Sequence, residues 1–324
     1  MSLGNPFPPP TPERRRRVSK VGDRIFLGLL LVAVAGIIFL TGALVGVLLY
    51  GSRTAIQSVG FSIIWERTWD PVNHTWGILP FIIGTLITSA LALLIAVPLG
   101  LGAAIFLTQH SPAWLRVPVG QIIELLAAIP SIIFGFWGLI VLVPIMRTYV
   151  DPVLRNYLGW TGLFGGVIVG QDYLTASLVL AVMAIPTITA ISRDSIAAVP
   201  RAQKEAALSI GATDWEVTRR AVLPYARSGI IAGAVLGLGR ALGETMAVLL
   251  IIGNSPYLPT SFFSQGETIA AAIANYFTET DQGPLEIPVL LLAGLILLVI
   301  TLAINVGARL VLARSQVGRG AAAE

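Results

Sequence analysis

The sequence predicts an all-α polytopic membrane protein with six transmembrane helices, and three observations support this fold class. Of the 324 residues, 55% are hydrophobic and only 12% are charged, whereas soluble domains carry about 25% charged residues. The mean hydropathy is +0.83. The apolar residues also fall into separate runs of the length that a membrane-spanning helix needs, about 20 residues.

Six runs account for the predicted helices, and together with their loops they form one transmembrane domain over residues 25–312. Five runs are long and apolar enough to span a membrane: 25–50, 77–107, 119–146, 228–252 and 287–312. The sixth run, 174–192, is shorter but contains no charged residue. A further run at 162–170 is too short to cross, and we predict a re-entrant or surface segment there.

The basic residues predict the orientation in the membrane. Residues 1–24 are rich in proline and then strongly basic, which indicates a disordered cytosolic tail, and residues 313–324 form a short second tail. Six spans place both termini on one side. With both termini in the cytosol, sixteen Lys and Arg residues lie inside and four lie outside, as the positive-inside rule requires. This distribution explains the net charge of +4 without a nucleic acid partner.

Two further residue types mark the spans and their ends. Tryptophans in the loop 51–76 suit an interfacial aromatic belt: Trp65, Trp69 and Trp76. Prolines inside the predicted spans each remove a backbone donor and can kink a helix: Pro98, Pro130, Pro144 and Pro186. The sequence has no cysteine and two histidines, so we expect no disulfide and no metal site.

The loop 193–227 between the fourth and fifth spans predicts two short helices. Pro200 suits the first position of a helix and Gly211 suits the position just past its end. Thr213 and Glu216 have the spacing of a capping box, which begins a second helix. We predict that this helix runs to Leu223 and that Pro224 ends it.

The faces of these two helices are suited to a protein partner. Three small or apolar residues give the first helix a slim apolar face: Ala206, Ala207 and Ile210. Four residues share one side of the second helix: Trp215, Thr218, Arg219 and Val222. We therefore expect this loop to offer a helix to another protein.

The same loop resembles a known motif. Its residues match the EAA loop of the permease subunits of bacterial ABC importers, the binding-protein-dependent transport inner-membrane permease family: Glu205, Ala206, Ala207, Gly211, Leu223 and Pro224. One departure is Ala221, where the general pattern has isoleucine. The resemblance implies a type I ABC importer permease (MetI-like) fold in the bacterial plasma (inner) membrane, and it implies that the loop docks on an ATPase subunit.

Further stretches narrow the resemblance to the PstC type of phosphate importer permease, over about residues 20–312. The stretches are WDP at 69–71, GTLITS at 84–89, ELLAAIPSIIFGFWGL at 124–139, AISRDSIAAVPR at 190–201 and GLGRALGETMA with its IIGN tail at 237–254. The family implies a heterodimer with a sister permease of the PstA type, two copies of a PstB-type ATPase and an extracytoplasmic PstS-type phosphate-binding protein.

The chain itself is not expected to be an enzyme or to bind a cofactor. Its two lysines, Lys20 and Lys204, are not preceded by glycine, so the G-x-x-x-x-G-K-[ST] nucleotide-binding motif is missing from the sequence. ATP and Mg would therefore be bound and used by the partner ATPase, and we expect no catalytic residue in this chain.

Arg240 and Glu244 are the candidate substrate-pathway residues. A charge at the centre of a spanning helix costs about 2.5 to 3.5 kcal/mol on insertion scales, so both must face something polar. At i and i+4 on one helix they share a face and can bond to each other. A purely structural ion pair remains one interpretation. The other is that Arg240 presents a fork for two phosphate oxygens while Glu244 competes for it, and the family resemblance favours this one.

Four more polar residues lie near the spans. Glu124 can snorkel to the interface. Hydroxyls near prolines could donate to a phosphate oxygen, although bonding to their own helix is the commoner role: Ser131, Thr187 and Thr189.

Two alternatives to phosphate import by an ABC permease remain open at this stage. A guanidinium fork also suits other oxyanions, such as sulfate or molybdate. An ion-coupled secondary transporter would instead use Arg240, Glu244 and Glu124 as a proton relay, but such a transporter has no need of a docking loop.

Overall fold

The computed structural model describes residues 20–277 and 285–320, and these are predominantly helical, which confirms the all-α prediction. The helices are α1 (Lys20–Gly51), α2 (Arg53–Ser58), α3 (Leu79–Ile105), α4 (Ala113–Ala128), α5 (Ser131–Trp137), α6 (Val143–Ile145), α7 (Asp151–Leu158), α8 (Tyr173–Ala197), α9 (Arg201–Ser209), α10 (Asp214–Val217), α11 (Leu223–Gly243), α12 (Met246–Ile251), α13 (Ile269–Phe277) and α14 (Glu286–Gly320). A hairpin of β1 (Trp69–Asp70) and β2 (Thr75–Trp76) precedes α3.

The predicted tails fall mostly outside this description. Residues 1–19 and 321–324 lie outside the described residues. Lys20 already belongs to α1, and α14 continues to Gly320, so both terminal helices extend beyond the predicted spans of 25–50 and 287–312.

The chain divides into two units, Met1–Val47 and Leu48–Glu324. The described part of the first unit is one helix, the greater part of α1. From Ile25 onward it is apolar on all sides, and large side chains such as Phe26, Val32 and Phe39 are 64%, 71% and 73% exposed. A helix of this kind suits a lipid surface or other membrane helices.

In the second unit, α8 is the central helix, and α3 and α11 pack against it. Small residues permit close approach, as is usual between membrane helices. A methyl group added at Gly100 of α3 would lie 3.0 Å from Ile188 Cγ2, and one at Gly237 of α11 would lie 2.9 Å from Ile188 Cγ1. The hydroxyl of Thr189 donates to the Gly100 carbonyl oxygen across the helix pair (3.2 Å). Thr189 therefore fixes packing and is not available as a free phosphate donor.

Six helical segments of the described chain are long and apolar enough to span a membrane, as predicted: Gly22–Ser58, Leu79–His110, Ser131–Thr161, Tyr173–Ala197, Asp214–Gly243 and Glu286–Leu310. The predicted third span, 119–146, is wrong in its bounds. Its first part belongs to α4, which ends at Ala128, and the spanning segment begins at Ser131. Pro130 causes the break, because proline lacks an N–H and disfavours helical backbone at the residue before it.

A second effect of proline explains the irregular turns in this fold. Four five-residue π-helical turns occur in the described chain, and each is followed two residues later by a proline: Phe106–His110 before Pro112, Gly138–Leu142 before Pro144, Met146–Val150 before Pro152 and Thr218–Val222 before Pro224. In each turn the residue just before the proline donates its N–H to the carbonyl five residues earlier. The wider turn satisfies the backbone where a proline ring would clash with the carbonyl four residues before it.

The tryptophans of the 51–76 loop do not form the predicted belt. Trp69 and Trp76 are 5% and 3% exposed, while Trp65 is 73% exposed. The Trp69 and Trp76 rings meet edge to face across the hairpin, with centroids 5.3 Å apart, and Trp69 also lies 5.1 Å from the Tyr276 ring. The hairpin thus holds the two indoles inside a packed aromatic cluster, in the edge-to-face arrangement that aromatic rings favour.

The segment 162–170 is a surface loop, consistent with the expectation that it cannot cross the membrane. The Leu163 carbonyl accepts a hydrogen bond from the Phe262 N–H (2.8 Å). The Phe164 ring packs edge to face on the rings of Phe262 and Phe263. These contacts tie it to the loop between α12 and α13.

Candidate functional site

The predicted fifth span, 228–252, is interrupted beside Arg240. α11 ends at Gly243, Glu244 is extended with φ −71° and ψ 125°, and α12 begins at Met246. The Thr245 hydroxyl donates to the Gly243 carbonyl oxygen (3.3 Å) at the break. The last turns of α11 contain three glycines within seven residues, and each lowers helix stability by about 1 kcal/mol relative to alanine.

The break separates the two candidate pathway residues. Arg240 lies in the last turn of α11, whereas Glu244 has left the helical backbone, so the predicted continuous helix and its shared i, i+4 face are wrong. The ion pairs among the described residues do not include one between Arg240 and Glu244. Both residues are partly exposed. A cation in the last turn is still favourable for α11, because it lies near the negative end of the helix dipole.

Arg240 lies on the open face of α11. Gly237 faces the Ile188 and Ala184 side chains of α8, but nothing lies within 4 Å of a methyl group added at Gly239 or Gly243. Leu236, four residues before Arg240 and therefore on the same face, is 57% exposed. The arginine thus lies on a face of the spanning helix that the described chain leaves uncovered.

A second break occurs at the same end of a neighbouring helix pair. Ile129 and Pro130 are extended between α4 and α5. A methyl group added at Gly135 of α5 would contact Ala247 of α12, and one at Gly138 would contact Ile251. Because α5 and α12 run in the same direction, their first turns lie side by side. The two helices that follow the breaks, α5 and α12, therefore bring the ELLAAIPS and GRALGETMA stretches together.

Glu124 has a partner that the sequence did not predict. Its Oε1 lies 3.0 Å from Nη2 of Arg193 on α8, and Nε of the same arginine lies 3.3 Å from Asp194 Oδ1. The Glu124 side chain is 59% exposed, so the proposed snorkelling is accompanied by an ion pair. Gly120 leaves room for the guanidinium, since a methyl group there would lie 2.9 Å from Nη1. The side chains are 69 residues apart in sequence, which is why no local signal reveals them.

The first helix of the loop 193–227 ends in the way that Gly211 predicts. α9 runs from Arg201 to Ser209 with Pro200 just before it, and Gly211 has φ +84°. The Gly211 N–H donates to the Leu208 carbonyl (2.9 Å), and the Ala212 N–H donates to the Ala207 carbonyl (3.3 Å). These two bonds form a complete Schellman motif, which satisfies the last carbonyls of the helix.

The second helix begins as predicted but does not end at Pro224. The Thr213 hydroxyl accepts from the Glu216 N–H (3.4 Å), and the Glu216 carboxylate accepts from the Thr213 N–H (3.0 Å). From Asp214 the helix continues through the π-helical turn and Pro224 into α11. The predicted stop at Pro224 is wrong because the π-helical turn absorbs the missing donor, with the Leu223 N–H bonded to the Thr218 carbonyl.

The elbow formed by α9, Gly211 and α10 exposes apolar surface. Ile210 is 86% and Trp215 is 55% exposed, and Glu205 and Ala206 are exposed on α9. Thr218 and Val222 are buried, so the predicted common face of the second helix is divided between surface and interior. A groove of about 540 Å³ adjoins the elbow, lined by Gln203, Ala206, Arg220, Ala221, Pro224 and Tyr225. Ala221 lies here, where isoleucine would fill more of the groove.

The structure therefore joins the two sets of predicted site residues through one helix. The elbow is attached to Asp214, and Arg240 lies 26 residues further along the same helical segment. At about 1.5 Å per residue this corresponds to about 39 Å. A displacement of the elbow would be transmitted to Arg240 along this segment.

The IIGN tail has a backbone role that sequence reasoning did not assign. Gly253 and Asn254 have φ values of +91° and +49°, and they end α12. The Asn254 side-chain amide donates to the Leu249 carbonyl (2.9 Å), while the Gly266 N–H donates to the Ile252 carbonyl (3.0 Å). A Gly-Asn pair after an apolar run is a turn signal that could have indicated this.

Residues 96–316 match the family model described as the binding-protein-dependent transport system inner membrane component. This range covers the two helix breaks, the elbow and Arg240.

Curated relatives are similar over nearly the whole chain. The phosphate transport system permease protein PstC of Mesorhizobium japonicum is 48% identical over 92% of this chain and 92% of its own length. PstC of Xylella fastidiosa is 46% identical over 94% of each chain. PstC 2 of Mycobacterium tuberculosis is 41% identical over 90% of this chain and 88% of its own.

Solved structures of ABC importers share the fold. A chain of a bacterial alginate ABC transporter matches with a TM-score of 0.58, 20% identity and coverage of 88% of this chain and 92% of that one. A chain of the MetNI methionine ABC transporter in an inward-facing conformation matches with a TM-score of 0.54 and 18% identity, over 76% of this chain and 99% of that one. At this identity the likeness supports the type I (MetI-like) permease fold alone.

Proposed function

This chain belongs to the family of binding-protein-dependent transport system inner membrane components, and from that premise we propose that it is the PstC-type permease subunit of an ATP-driven phosphate importer. It is a multi-pass inner-membrane protein. In the proposal it forms half of the translocation pathway. The observation that carries the proposal is the unbroken helical segment from Asp214 to Gly243, which joins an exposed docking elbow to a charged residue inside a membrane span.

Arg240 is the proposed phosphate-facing residue. Its guanidinium is permanently charged and suited to two oxygens of one phosphate. It lies on the open face of α11, where Gly239 and Gly243 leave room for a solute. Because of the break at Glu244, the Glu244 carboxylate forms no ion pair with Arg240 in this structure. The Arg240 guanidinium is therefore available to phosphate, while Glu244, four residues away in sequence, can still compete for it.

The open face of α11 is the proposed contact with a second permease subunit. A charged residue that faces lipid is costly, and Arg240 is partly exposed next to the open positions Gly239 and Gly243. A sister subunit of the PstA type packed opposite would close the pathway around Arg240. The family architecture supports this heterodimer.

The elbow is the proposed docking site for a cytosolic ATPase of the PstB type. Glu205, Ala206 and Ala207 lie on α9, and Gly211 sets its angle to α10. The exposed Ile210 and Trp215 provide apolar contacts of the kind that a groove on a partner accepts. One ATPase copy would bind here and a second on the sister permease. ATP and Mg would be held by the ATPase, and its closure would move the elbow and, through α10 and α11, Arg240.

This assignment requires the elbow to face the cytosol and therefore both termini to be cytosolic. The distribution of Lys and Arg supports that orientation. The hairpin β1–β2 and the loop between α12 and α13 would then face outward, where a phosphate-binding protein of the PstS type would deliver its ligand.

The test is uptake of labelled phosphate at low external concentration in cells that contain or lack this gene. ATP and the proton gradient are depleted separately. We expect gene-dependent uptake that requires ATP and survives collapse of the gradient, without competition from sulfate. Uptake that follows the gradient alone, or that sulfate or molybdate displaces, contradicts the proposal.

Two matched substitutions locate the pathway. Arg240→Gln keeps the size of a polar side chain but removes the charge, and we expect uptake to fall by about tenfold or more, the equivalent of one charge-assisted hydrogen bond of roughly 1.5 to 3 kcal/mol. Arg155→Gln makes the same change at an exposed residue of α7 and should leave uptake unchanged. Equal activity of both variants would remove Arg240 from the pathway.

A further inference from the structure

A cavity of about 520 Å³ lies apart from Arg240, where the π-helical turn after α3 meets α4, α8 and α9. Four basic side chains line it: Arg116, Arg193, Arg201 and Lys204. We call it the basic cavity. Its walls come from four separate segments of the chain, so no single stretch of the sequence reveals it.

The positive charge of the basic cavity is only partly neutralised. Its two carboxylates, Glu124 and Asp194, are both bound to Arg193, at 3.0 Å and 3.3 Å. Within the part of the chain that the structure describes, the other three cations have no carboxylate partner. The Arg116 guanidinium donates to the Ser111 carbonyl (3.3 Å), and the Lys204 ammonium donates to Gln109 Oε1 (3.4 Å).

The effect of this crowding is visible at Lys204. Its pKa is lowered, first because burial disfavours the charged ammonium and then because Arg201 and Arg116 repel it. Three like charges that converge on a concave surface are unfavourable by themselves, and an anion between them would relieve the repulsion.

The neutral groups of the cavity also present donors. Lysine has three donors and no acceptor, so the Gln109 oxygen must face Lys204 and the amide nitrogen must point away from it. That nitrogen, Nε2, is buried and has no hydrogen-bond partner among the described residues. Several N–H groups in the cavity therefore lack a hydrogen-bond acceptor, and they belong to Lys204, Arg116 and Gln109.

We propose that the basic cavity binds a phosphate-type oxyanion, held by Arg116, Arg201, Lys204 and the amide of Gln109. Two sources supply this chemistry: inorganic phosphate in solution on the side of the elbow, and the headgroup of an anionic phospholipid. The first source rests on the proposed function, in which phosphate is delivered to that side, and the second does not.

The basic cavity lies between the docking elbow and α4, so a ligand there would contact both. Arg201 and Lys204 belong to α9, the first helix of the docking elbow, whereas Arg116 belongs to α4. An anion bound to all three links the elbow to α4. Occupancy of the basic cavity and movement of α9 are therefore coupled, and binding reports on the position of α9 rather than on the pathway at Arg240.

The experiment uses the full-length protein in nanodiscs. In one arm the lipid is phosphatidylcholine and radiolabelled inorganic phosphate is the probe. In the other arm phosphatidylglycerol is added, and bound lipid is counted by native mass spectrometry. Three chains are compared: wild type, the double variant Arg116→Gln/Lys204→Gln and the matched control Arg147→Gln/Arg155→Gln, whose residues are exposed and do not line the cavity.

We expect one of the two probes to bind wild type and the control equally and the double variant at least about a hundredfold more weakly, as the loss of two charge-assisted bonds requires. Arg201→Gln is a second test in case the double variant fails to fold. Arg201 is exposed, so its replacement leaves packing intact, and this variant should bind the same probe more weakly. In a chain that also carries Arg240→Gln, the double variant should weaken binding of the probe by the same factor, which separates this site from the pathway even if transport of phosphate fails.

Three results would overturn the proposal. The first is that neither probe binds wild type. The second is that Arg201→Gln and the double variant bind like the control. The third is that sodium chloride, added to the same ionic strength in every sample, removes the probe equally from all chains. Such a probe is held only by the general positive charge of the protein, which salt screens.

Discussion

Replacement of Gly211 should uncouple the elbow without disturbing the membrane helices. Gly211 has φ +84°, and nothing lies within 4 Å of a side chain added there, so the cost of a substitution is purely conformational. Left-handed backbone costs an ordinary residue about 1 to 2 kcal/mol. That cost shifts the population of the native elbow by a factor of about 5 to 30. Asparagine tolerates this backbone better than alanine.

The expected order of ATP-dependent phosphate uptake is therefore wild type, then Gly211→Asn, then Gly211→Ala, with Gly211→Pro lowest. Proline fixes φ near −65° and removes the N–H that bonds to the Leu208 carbonyl. Co-purification of the ATPase subunit with each variant should follow the same order. Gly102→Ala is the control, because Gly102 is an exposed helical glycine with open space and an ordinary φ. If alanine at 211 supports as much uptake as asparagine and glycine, the left-handed elbow is not what positions the docking surface.

Three further predictions concern helix geometry, packing and pH. Pro224→Ala should let the preceding π-helical turn revert to α-helix and rotate the elbow relative to α11. Phosphate uptake should then fall, while membrane insertion, measured by protease protection, stays normal. Gly237→Val should lower the thermal unfolding midpoint by overpacking Ile188, at a cost of about 1 to 3 kcal/mol, whereas Gly239→Ala should not. The pKa of Asp172, which caps α8 (Oδ1 to the Thr175 N–H, 2.8 Å), is raised because burial disfavours its carboxylate. The folded state therefore binds the proton more tightly, and stability should fall as pH rises from the unfolded pKa of about 3.9 through the folded value; Asp172→Asn should remove that slope in thermal unfolding.

Local chemistry was enough to predict much of the elbow. The Thr213–Glu216 capping box and the left-handed Gly211 occur where the sequence indicates them, because each depends on residues within three or four positions. The sequence also predicted six spans and the fold class, since the hydrophobic length needed to cross a bilayer is a property of composition.

Long-range contacts decided what the sequence left open or indicated wrongly. Trp69 and Trp76 were expected at an interface, but the hairpin and Tyr276 enclose them. Glu124 and Arg193 are far apart in sequence and meet only because α4 packs on α8. No local pattern contains the information for such pairs.

The sequence by itself determined that this is a membrane permease with two short, capped helices between its fourth and fifth spans and an arginine inside the fifth, because hydrophobic length, capping and glycine conformation are short-range properties. The tertiary structure alone decided how those parts are connected. Proline both breaks a helix, at Pro130, and continues one through a π-helical turn, at Pro224. Before Pro224 the wider turn keeps the backbone hydrogen-bonded, whereas before Pro130 the backbone becomes extended. The elbow and Arg240 therefore belong to one helical segment, and Glu244 lies beyond its end.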